Sequence, residues 1–414
     1  MKVKNTSNTV KHNFSLPELI LLLLSTLTVM AGATIAPVLP TLRESFINNL
    51  NVDLLVRITL TITPLFIALG SPVMGIIVDK WGRKNLVLIN TILYGIAGSS
   101  GFFLDSLEAI IISRAILGVT VAGIMTTTTT LIADYYQGEQ RNKIMGYQGS
   151  FLAYGGIVFL IIGGMLGGIG WQFPFLIYLL AFPLVPGIWI YLYEPDRDIL
   201  RSTHAKKQSL SDSNRNFPYS SIGIVYLLTL VFQIFFYITL TELPFFLTNN
   251  LLLKPESIGI VLATATFSAG TFSLLYKRIK RHFGFVSIFI ASFLFSGVGL
   301  FIIFLSNDVL RAVLGLLIAG IGLGLFIPNS TVWITLITPG SSRGLVLSGF
   351  MSSLFLGQFL SPFISQFLLN YFLAAEMFAL SGLILVSIGV IYLIATLSFN
   401  SKGPANPSPD RDLG

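Results

Sequence analysis

The sequence predicts an all-α membrane protein whose twelve transmembrane helices form two pseudo-symmetric six-helix halves. Hydrophobic residues make up 54% of the chain and charged residues only 10%. A soluble domain carries about 25% charged residues, so this chain has too little charge to cover a water-exposed surface. Long apolar runs recur along the whole sequence. In addition, the string RAILGVTVAGI at Arg114–Ile124 returns almost unchanged as RAVLGLLIAGI at Arg311–Ile321.

Twelve apolar runs are long enough to cross a bilayer, which takes about 20 mostly apolar residues. A membrane β-strand would give only about ten residues of alternating hydropathy, so these runs predict helices. We number the predicted spans 1 to 12 in chain order. They cover residues 17–40, 54–78, 86–104, 107–132, 145–168, 173–193, 221–247, 256–276, 285–306, 309–334, 345–370 and 376–398.

The placement of lysine and arginine predicts the orientation. If the N-terminus is cytoplasmic, 20 of the 25 basic residues fall in cytoplasmic segments, as the positive-inside rule requires. The net charge of +7 therefore reflects topology and does not indicate a nucleic-acid partner. We expect a multi-pass, monomeric protein of the cytoplasmic (inner) cell membrane, embedded in the lipid bilayer with both termini cytoplasmic.

A polar, serine-rich stretch divides the spans six and six. It predicts an N-terminal half at 1–193, a cytoplasmic linker at 194–220, a C-terminal half at 221–398 and a cytoplasmic tail at 399–414. The repeated string then opens span 4 in the first half and span 10 in the second. Two related halves are the architecture of a transporter with alternating access.

Three short motifs identify a family. GIIVDKWGRK, at Gly75–Lys84 between spans 2 and 3, has glycine, three residues, aspartate, a base, one residue, glycine and two bases. RAILG opens the repeat in span 4, and PVLP stands at Pro37–Pro40. Together they resemble the twelve-helix drug–proton antiporters of the major facilitator superfamily. The resemblance implies a secondary active transporter that exports amphipathic, drug-like small molecules in exchange for protons.

Two positions depart from the pattern of that subgroup. In span 5 the signature keeps Gly163-Gly164, but Phe159-Leu160 stands where the subgroup has glycine-proline. In span 4, Leu117 stands where the arginine motif usually carries an amide. Both departures concern proton-coupled export and leave the predicted fold unchanged.

The motif between spans 2 and 3 predicts a conformational latch. Its residues are Gly75, Asp79, Gly82, Arg83 and Lys84. Glycines allow a tight turn and close helix approach, and the aspartate can pair with a base or lie at a helix N-terminus. The alternative interpretation is a solvated turn whose bases obey the positive-inside rule.

Two ionisable residues inside predicted spans are candidates for coupling. Arg114 lies about 9 Å along the helix from the predicted outer boundary, where a cation usually faces the protein interior; the alternative is snorkelling to the interface. Glu242 is the one carboxylate that lies inside a predicted span and not at a span end, which makes it the expected proton site; the alternative is an interfacial carboxylate beside Pro244. For Arg311, close to the span end, we expect snorkelling.

Polar and aromatic residues within the spans predict a substrate cavity suited to amphipathic molecules, although each of them could equally serve helix packing. These cavity candidates are Tyr94, Gln148, Tyr154, Gln233, Phe236, Tyr237, Asn329, Trp333 and Gln358.

Enzymatic motifs, zinc-ligand spacing and phosphate-binding loops do not occur in the sequence. We therefore expect no enzymatic activity, no metal and no cofactor, and transport driven by a gradient. Other transporters of this fold remain open as alternatives: a metabolite or siderophore exporter, a lipid flippase or a uniporter. A membrane sensor that does not transport is a further alternative.

Overall fold

The structure, a computed structural model, describes residues 15–195, 217–339 and 342–400. Throughout these residues the chain is helical and no strand occurs, which confirms the predicted fold class. Most of the predicted linker, and the predicted tail beyond residue 400, lie outside the described residues. The predicted domain boundaries therefore remain predictions.

The helices follow one another in the predicted order, and each predicted span has its counterpart. In the first half, span 1 comprises Leu16–Ala33, a 3₁₀ turn at Ala36–Val38 and Leu39–Ser45; span 2 is Val52–Trp81, span 3 Arg83–Ser100, span 4 Leu107–Tyr135 and span 5 Gly138–Gly167; span 6 comprises Phe173–Ala181 and Leu184–Tyr191. In the second half, span 7 comprises Tyr219–Thr241 and Leu243–Leu251; span 8 is Pro255–Lys280, span 9 Phe285–Phe304, span 10 Val309–Ile337, span 11 Arg343–Leu369 and span 12 Ala374–Asn400.

Eleven of these spans are long and apolar enough to cross a membrane by length and composition. Span 3 is the exception, because its 18 residues begin with the polar run Arg83-Lys84-Asn85. It nevertheless packs along span 4 and against span 6. The bundle of twelve helical spans is therefore built as the apolar runs predicted.

The structure corrects the predicted connection between spans 2 and 3. Span 2 stays helical through Trp81 and span 3 begins at Arg83, so Gly82 alone forms the turn, at a φ of 95°. Hydropathy marks only the apolar part of a helix, and span 2 continues into its polar cytoplasmic end. Gly75 therefore lies within the helix and not in a loop. A Cβ there would meet no atom within 4 Å, so Gly75 does not serve the expected close helix approach.

Glycines in both copies of the repeated string, although not at equivalent positions of it, allow close helix packing. A Cβ at Gly118 would lie 2.6 Å from the Thr63 carbonyl oxygen of span 2, and one at Gly320 would lie 2.5 Å from the Ala265 carbonyl oxygen of span 8. Real Cβ atoms do not come so close to a backbone oxygen, so both sites require glycine. In each half, the string thus lets the fourth span lie directly on the second.

Two pairs of spans join the halves: span 2 packs on span 11, and span 5 packs on span 8. Spans 1 and 7 also meet, through Ala36–Val38 and Leu39–Ser45 on one side and Leu243–Leu251 on the other. We call the ends of the spans that are joined by residues 46–51 and 252–254 the outer end, following the predicted orientation. Contact between spans 1 and 7 therefore lies at the outer end.

Candidate functional site

The two halves are joined at the outer end by a buried ion pair. Arg57 of span 2 donates from Nε to Oε1 and from Nη2 to Oε2 of Glu242 in span 7, with both distances 2.6 Å. The two residues are only 4% and 3% exposed. This planar, two-bond geometry is the strongest that an arginine and a carboxylate adopt. Glu242 is therefore buried with its charge paired, and its role as the proton site remains a prediction.

A helix break places Glu242 in this position. The helix Tyr219–Thr241 ends just before it, and Leu243–Leu251 begins just after it. Pro244 at the start of the second helix cannot donate a backbone hydrogen bond, which favours an interruption at this point. Span 1 is interrupted in a similar way between Ala33 and Ala36, ahead of Pro37. The first span of each half is thus broken near its outer end.

Further polar groups complete the environment of the pair. The Ser365 hydroxyl of span 11 donates to Glu242 Oε1 at 2.6 Å. Arg57 Nη1 donates to the Asp53 backbone carbonyl at 2.5 Å and lies 3.6 Å from the Asp53 carboxylate. The guanidinium also stacks over the Phe245 ring at 4.2 Å. Spans 2, 7 and 11 therefore meet at one buried carboxylate, both oxygens of which accept hydrogen bonds.

The charges continue from this pair to the surface. Asp53 is half-exposed and binds Arg43 of span 1, whose Nε lies 2.6 Å from Asp53 Oδ1. The sequence Arg43, Asp53, Arg57, Glu242 thus alternates in sign from the outer surface to the buried carboxylate. A cavity of about 230 Å³ gives water access to this chain of charges. Its lining residues are Pro40, Arg43, Glu44, Asp53, Arg57, Glu242, Phe245, Phe246, Asn249, Leu369 and Ala374.

Arg114, the other coupling candidate, lies wholly inside the first half. It is 0% exposed, so snorkelling to the interface is wrong. Its Nη2 donates to the Gly98 carbonyl at 2.6 Å, and its Cζ lies 4.7 Å from the centroids of both the Phe175 and Tyr178 rings. Among the described residues no carboxylate pairs with it, and Nε and Nη1 have no hydrogen-bond partner. The Arg114 guanidinium is therefore stabilised by two aromatic rings and by one backbone carbonyl.

The counterpart of Arg114 in the repeat behaves differently. Arg311 is 56% exposed and lies 3.5 Å from Asp308, which caps the start of span 10. Its position near the span end thus leaves it at the surface, as expected. The structure therefore does not bring Arg114 and Arg311 into equivalent surroundings.

Two of the predicted latch residues, Arg83 and Lys84, hold the end of span 3 that lies opposite the outer end. Arg83 Nε lies 3.0 Å from the Asp134 carboxylate of span 4, and both side chains are nearly buried. The Glu194 carboxylate accepts the backbone N–H groups of Arg83 and Lys84, each at 2.8 Å. Lys84 Nζ donates to the Trp189 carbonyl of span 6. Because the side chain of Asp79 is not among those described, its predicted role remains a prediction.

In the first half, the cavity candidates lie apart from one another. The Tyr94 hydroxyl is buried and donates to the Leu27 carbonyl at 2.6 Å, and Gln148 donates to the Ser25 hydroxyl at 2.9 Å. Both therefore tie their helices to span 1. Tyr154 is 53% exposed, on the face of span 5 opposite the faces that pack on spans 1 and 8. The structure does not bring these three side chains together.

In the second half, the candidates lie mainly in helix packing. Asn329 accepts from the Tyr276 hydroxyl at 3.2 Å and donates to the Phe285 carbonyl at 3.0 Å. The Tyr237 hydroxyl reaches the first half, where it lies 3.5 Å from the Cβ position of Gly32 in span 1. The other four are buried or half-buried within their spans: Gln233 and Phe236 in span 7, Trp333 in span 10 and Gln358 in span 11.

An aromatic cluster in the second half was not predicted as a unit. Its rings come from spans 7, 9 and 10, with Phe232 stacked on Phe326 at 4.2 Å. Phe293 and Phe289 meet Phe326 edge-on, and Phe289 continues the cluster to Trp333. Aromatic residues at these spacings are too frequent in apolar spans for the sequence to distinguish a cluster from ordinary lipid-facing residues.

The glycine pair retained in span 5 lies at the contact between the halves. A Cβ at Gly163 would lie 2.2 Å from the Thr34 carbonyl oxygen, where span 1 is broken. A Cβ at Gly164 would lie 2.5 Å from the Pro255 carbonyl oxygen of span 8. Both positions therefore require glycine if span 5 is to fit between spans 1 and 8.

Sequence reasoning missed the partners of the buried charges. Arg57 lies inside predicted span 2, and a cation in a span needs a counter-charge. Since Glu242 was the one acid inside a span and not at a span end, the two could have been paired from the sequence. Ser365 gave no signal, because serine is frequent in spans. Glu194 was assigned to the linker, but it binds the start of span 3.

Comparisons with known proteins agree with this architecture. The family model described as Major Facilitator Superfamily matches residues 21–249 and 225–412. Multidrug resistance protein 1 of Bacillus subtilis (strain 168) is 26% identical over 69% of this chain and 72% of its own. Quinolone resistance protein NorA of Staphylococcus aureus (strain COL) is 23% identical over 78% of this chain and 83% of its own. The inward open conformation of the xylose transporter XylE from E. coli has the same fold, with a TM-score of 0.75, 16% identity and coverage of 91% of this chain and 95% of that chain.

Proposed function

The chain belongs to the major facilitator superfamily of transporters, and from that premise we propose that it exports amphipathic, drug-like organic molecules in exchange for protons. The relatives named for multidrug and quinolone resistance support this class of substrate. The observation that carries the proposal is the buried pair of Arg57 and Glu242, which joins the two halves at the outer end. An ionisable carboxylate at that point can link proton binding to the opening of the molecule.

The pair favours one state of the transport cycle. While Glu242 is ionised, Arg57 and Ser365 hold spans 2, 7 and 11 together, and the outer end is closed. Removing one partner of a buried pair costs about 3–5 kcal/mol, so the closed state is stable only with the anion. When substrate has opened the outer end, Glu242 is free of Arg57 and takes up an external proton. Closure returns Arg57 to Glu242 and expels that proton toward the cytoplasmic side.

This scheme also includes the finer expectations from the sequence. The protein acts as a carrier in the cytoplasmic membrane, with both termini cytoplasmic, as a monomer in the lipid bilayer, and without enzymatic activity. Arg83, Lys84, Asp79 and Gly82 act at the cytoplasmic end, where they position span 3 during the transition.

Transport by purified protein in liposomes tests the proposal. We expect a fluorescent quinolone to enter liposomes with an acidic lumen when the carrier's cytoplasmic face is outward, and to leave when an ionophore dissipates the pH gradient. Preloaded unlabelled quinolone should also drive uptake of labelled quinolone with no gradient. Absence of both fluxes would contradict a carrier of this class and favour a sensor. Exchange without gradient-driven uptake would favour a uniporter.

A further inference from the structure

Arg57 has a second carboxylate within reach. Its Nη1 already donates to the Asp53 backbone carbonyl and lies only 3.6 Å from Asp53 Oδ1. Asp53 stands one helical turn before Arg57, near the outer start of span 2, and is half-exposed. A change of side-chain rotamer is therefore enough to bring Arg57 from the buried carboxylate to one that is in contact with water.

Binding of Arg57 to Glu242 and binding of Arg57 to Asp53 have different effects on the contact between the halves. On Glu242, Arg57 ties span 2 to spans 7 and 11. On Asp53, it would bind only its own helix, and no bond would cross between the halves at this point. The Asp53 carboxylate is already oriented by Arg43, through a distance of 2.6 Å to Oδ1. Its half-exposed carboxylate can accept a second guanidinium without being buried.

The other charged groups around the pair are few. The cavity beside it is lined by Arg43, Glu44 and Asp53 in addition to the pair itself, while span 11 contributes Ser365 and Leu369 to this region. Span 12 contributes Ala374, and its first acid, Glu376, accepts the backbone N–H of Leu373. Among the described residues, Asp53 is thus the carboxylate that lies next to the guanidinium once Glu242 is neutral.

We propose that Asp53 is the positioning residue that takes over Arg57 when Glu242 becomes protonated, and that this exchange stabilises the open state of the outer end. The proposal rests on the proposed proton exchange at Glu242. A buried arginine without an anion is unfavourable, so neutralisation of Glu242 alone would leave Arg57 with no stable place. Asp53 provides that place outside the contact between the halves, and it holds Arg57 there until Glu242 loses its proton again.

Distance measurements between spin labels test this exchange. The chain has no cysteine, so labels can be placed cleanly at Leu50→Cys and Leu252→Cys. Both residues are exposed in outer connections, one in each half. The full-length protein is placed in lipid nanodiscs and measured at pH 5 and pH 8. In the otherwise unchanged protein, we expect the long-distance, open population to rise at pH 5.

Glu242→Gln separates the proposal from the function on which it rests. We expect this variant to have the same raised open population at both pH values, while it still interconverts between the open and the closed state. If its distances keep the pH dependence of the parent protein, Glu242 is not the proton acceptor and the proposed function fails. If the pH dependence disappears but the outer end stays closed, the exchange to Asp53 is wrong.

Substitution of Asp53 in the Glu242→Gln background then tests its role. We expect Asp53→Asn to lower the ratio of open to closed molecules at least tenfold and Asp53→Glu to preserve it. The matched control is Glu44→Gln, which removes an acid from the same cavity but not from beside Arg57, and should keep the molecule open. An Asp53→Asn variant as open as its parent would overturn the proposal while leaving Glu242 as the proton site.

Discussion

Removing the Ser365 hydroxyl weakens the contact between the halves at the outer end without removing a charge. The hydroxyl donates to Glu242 Oε1 at 2.6 Å and comes from a different span than Arg57. A hydrogen bond to a charged group contributes about 1.5–3 kcal/mol, and every 1.4 kcal/mol is about a factor of ten. Ser365→Ala should therefore raise the ratio of open to closed molecules about ten- to a hundredfold. The substitution removes one oxygen atom and leaves both charges in place.

The assay is the distance between labels at Leu50→Cys and Leu252→Cys at pH 8, where the parent protein is closed. Ser353→Ala is the matched control, since Ser353 lies on the same helix but bonds only to the Gly349 carbonyl of that helix. We expect the control to remain closed. Equal closed populations in Ser365→Ala and Ser353→Ala would refute the view that Glu242 holds the outer end.

Three further predictions concern other charged residues. Asp79→Asn should leave insertion into the membrane intact but slow turnover in liposomes; a wild-type rate would exclude a latch at this position. Arg114→Lys should slow transport at least tenfold, because lysine lacks the planar guanidinium that lies over the Phe175 and Tyr178 rings. Arg311→Lys, at an exposed position, should transport normally. Equal losses in the two variants would contradict this difference. Glu194→Gln should lower the free energy of unfolding of the purified protein by about 0.3–1 kcal/mol, because it removes a charge from the N-terminus of span 3; an unchanged melting temperature would show that this cap contributes nothing.

Hydropathy predicted the fold well, because the membrane dominates it. A long apolar run is stable only inside the bilayer, where it must be helical, so the helices lie where the runs lie. The ends were less predictable: span 2 continues as helix to Trp81, past its apolar part, and span 7 is interrupted at Glu242. Such features depend on local backbone geometry and on neighbouring spans, neither of which is encoded in mean hydropathy.

The candidate site was predictable only in part. Glu242 stood out because a carboxylate within a span is costly, and the same reasoning applies to Arg57. Their contact joins residues 185 positions apart, and only the packing of the two halves brings them together. Hydrogen-bonding residues such as Ser365 are common in spans. For that reason, no pattern in the sequence distinguishes the serine that binds Glu242 from those that bind their own helix.

The coupling of protons to export at Glu242 is tested most directly by Glu242→Gln in liposomes, with two fluxes measured on one preparation. We expect quinolone accumulation driven by a pH gradient to be abolished, while exchange of labelled for unlabelled quinolone without a gradient continues. Glu376→Gln, which neutralises an acid at the start of span 12, should retain both fluxes. If the Glu242→Gln carrier still accumulates quinolone against its gradient, Glu242 is not the coupling acid.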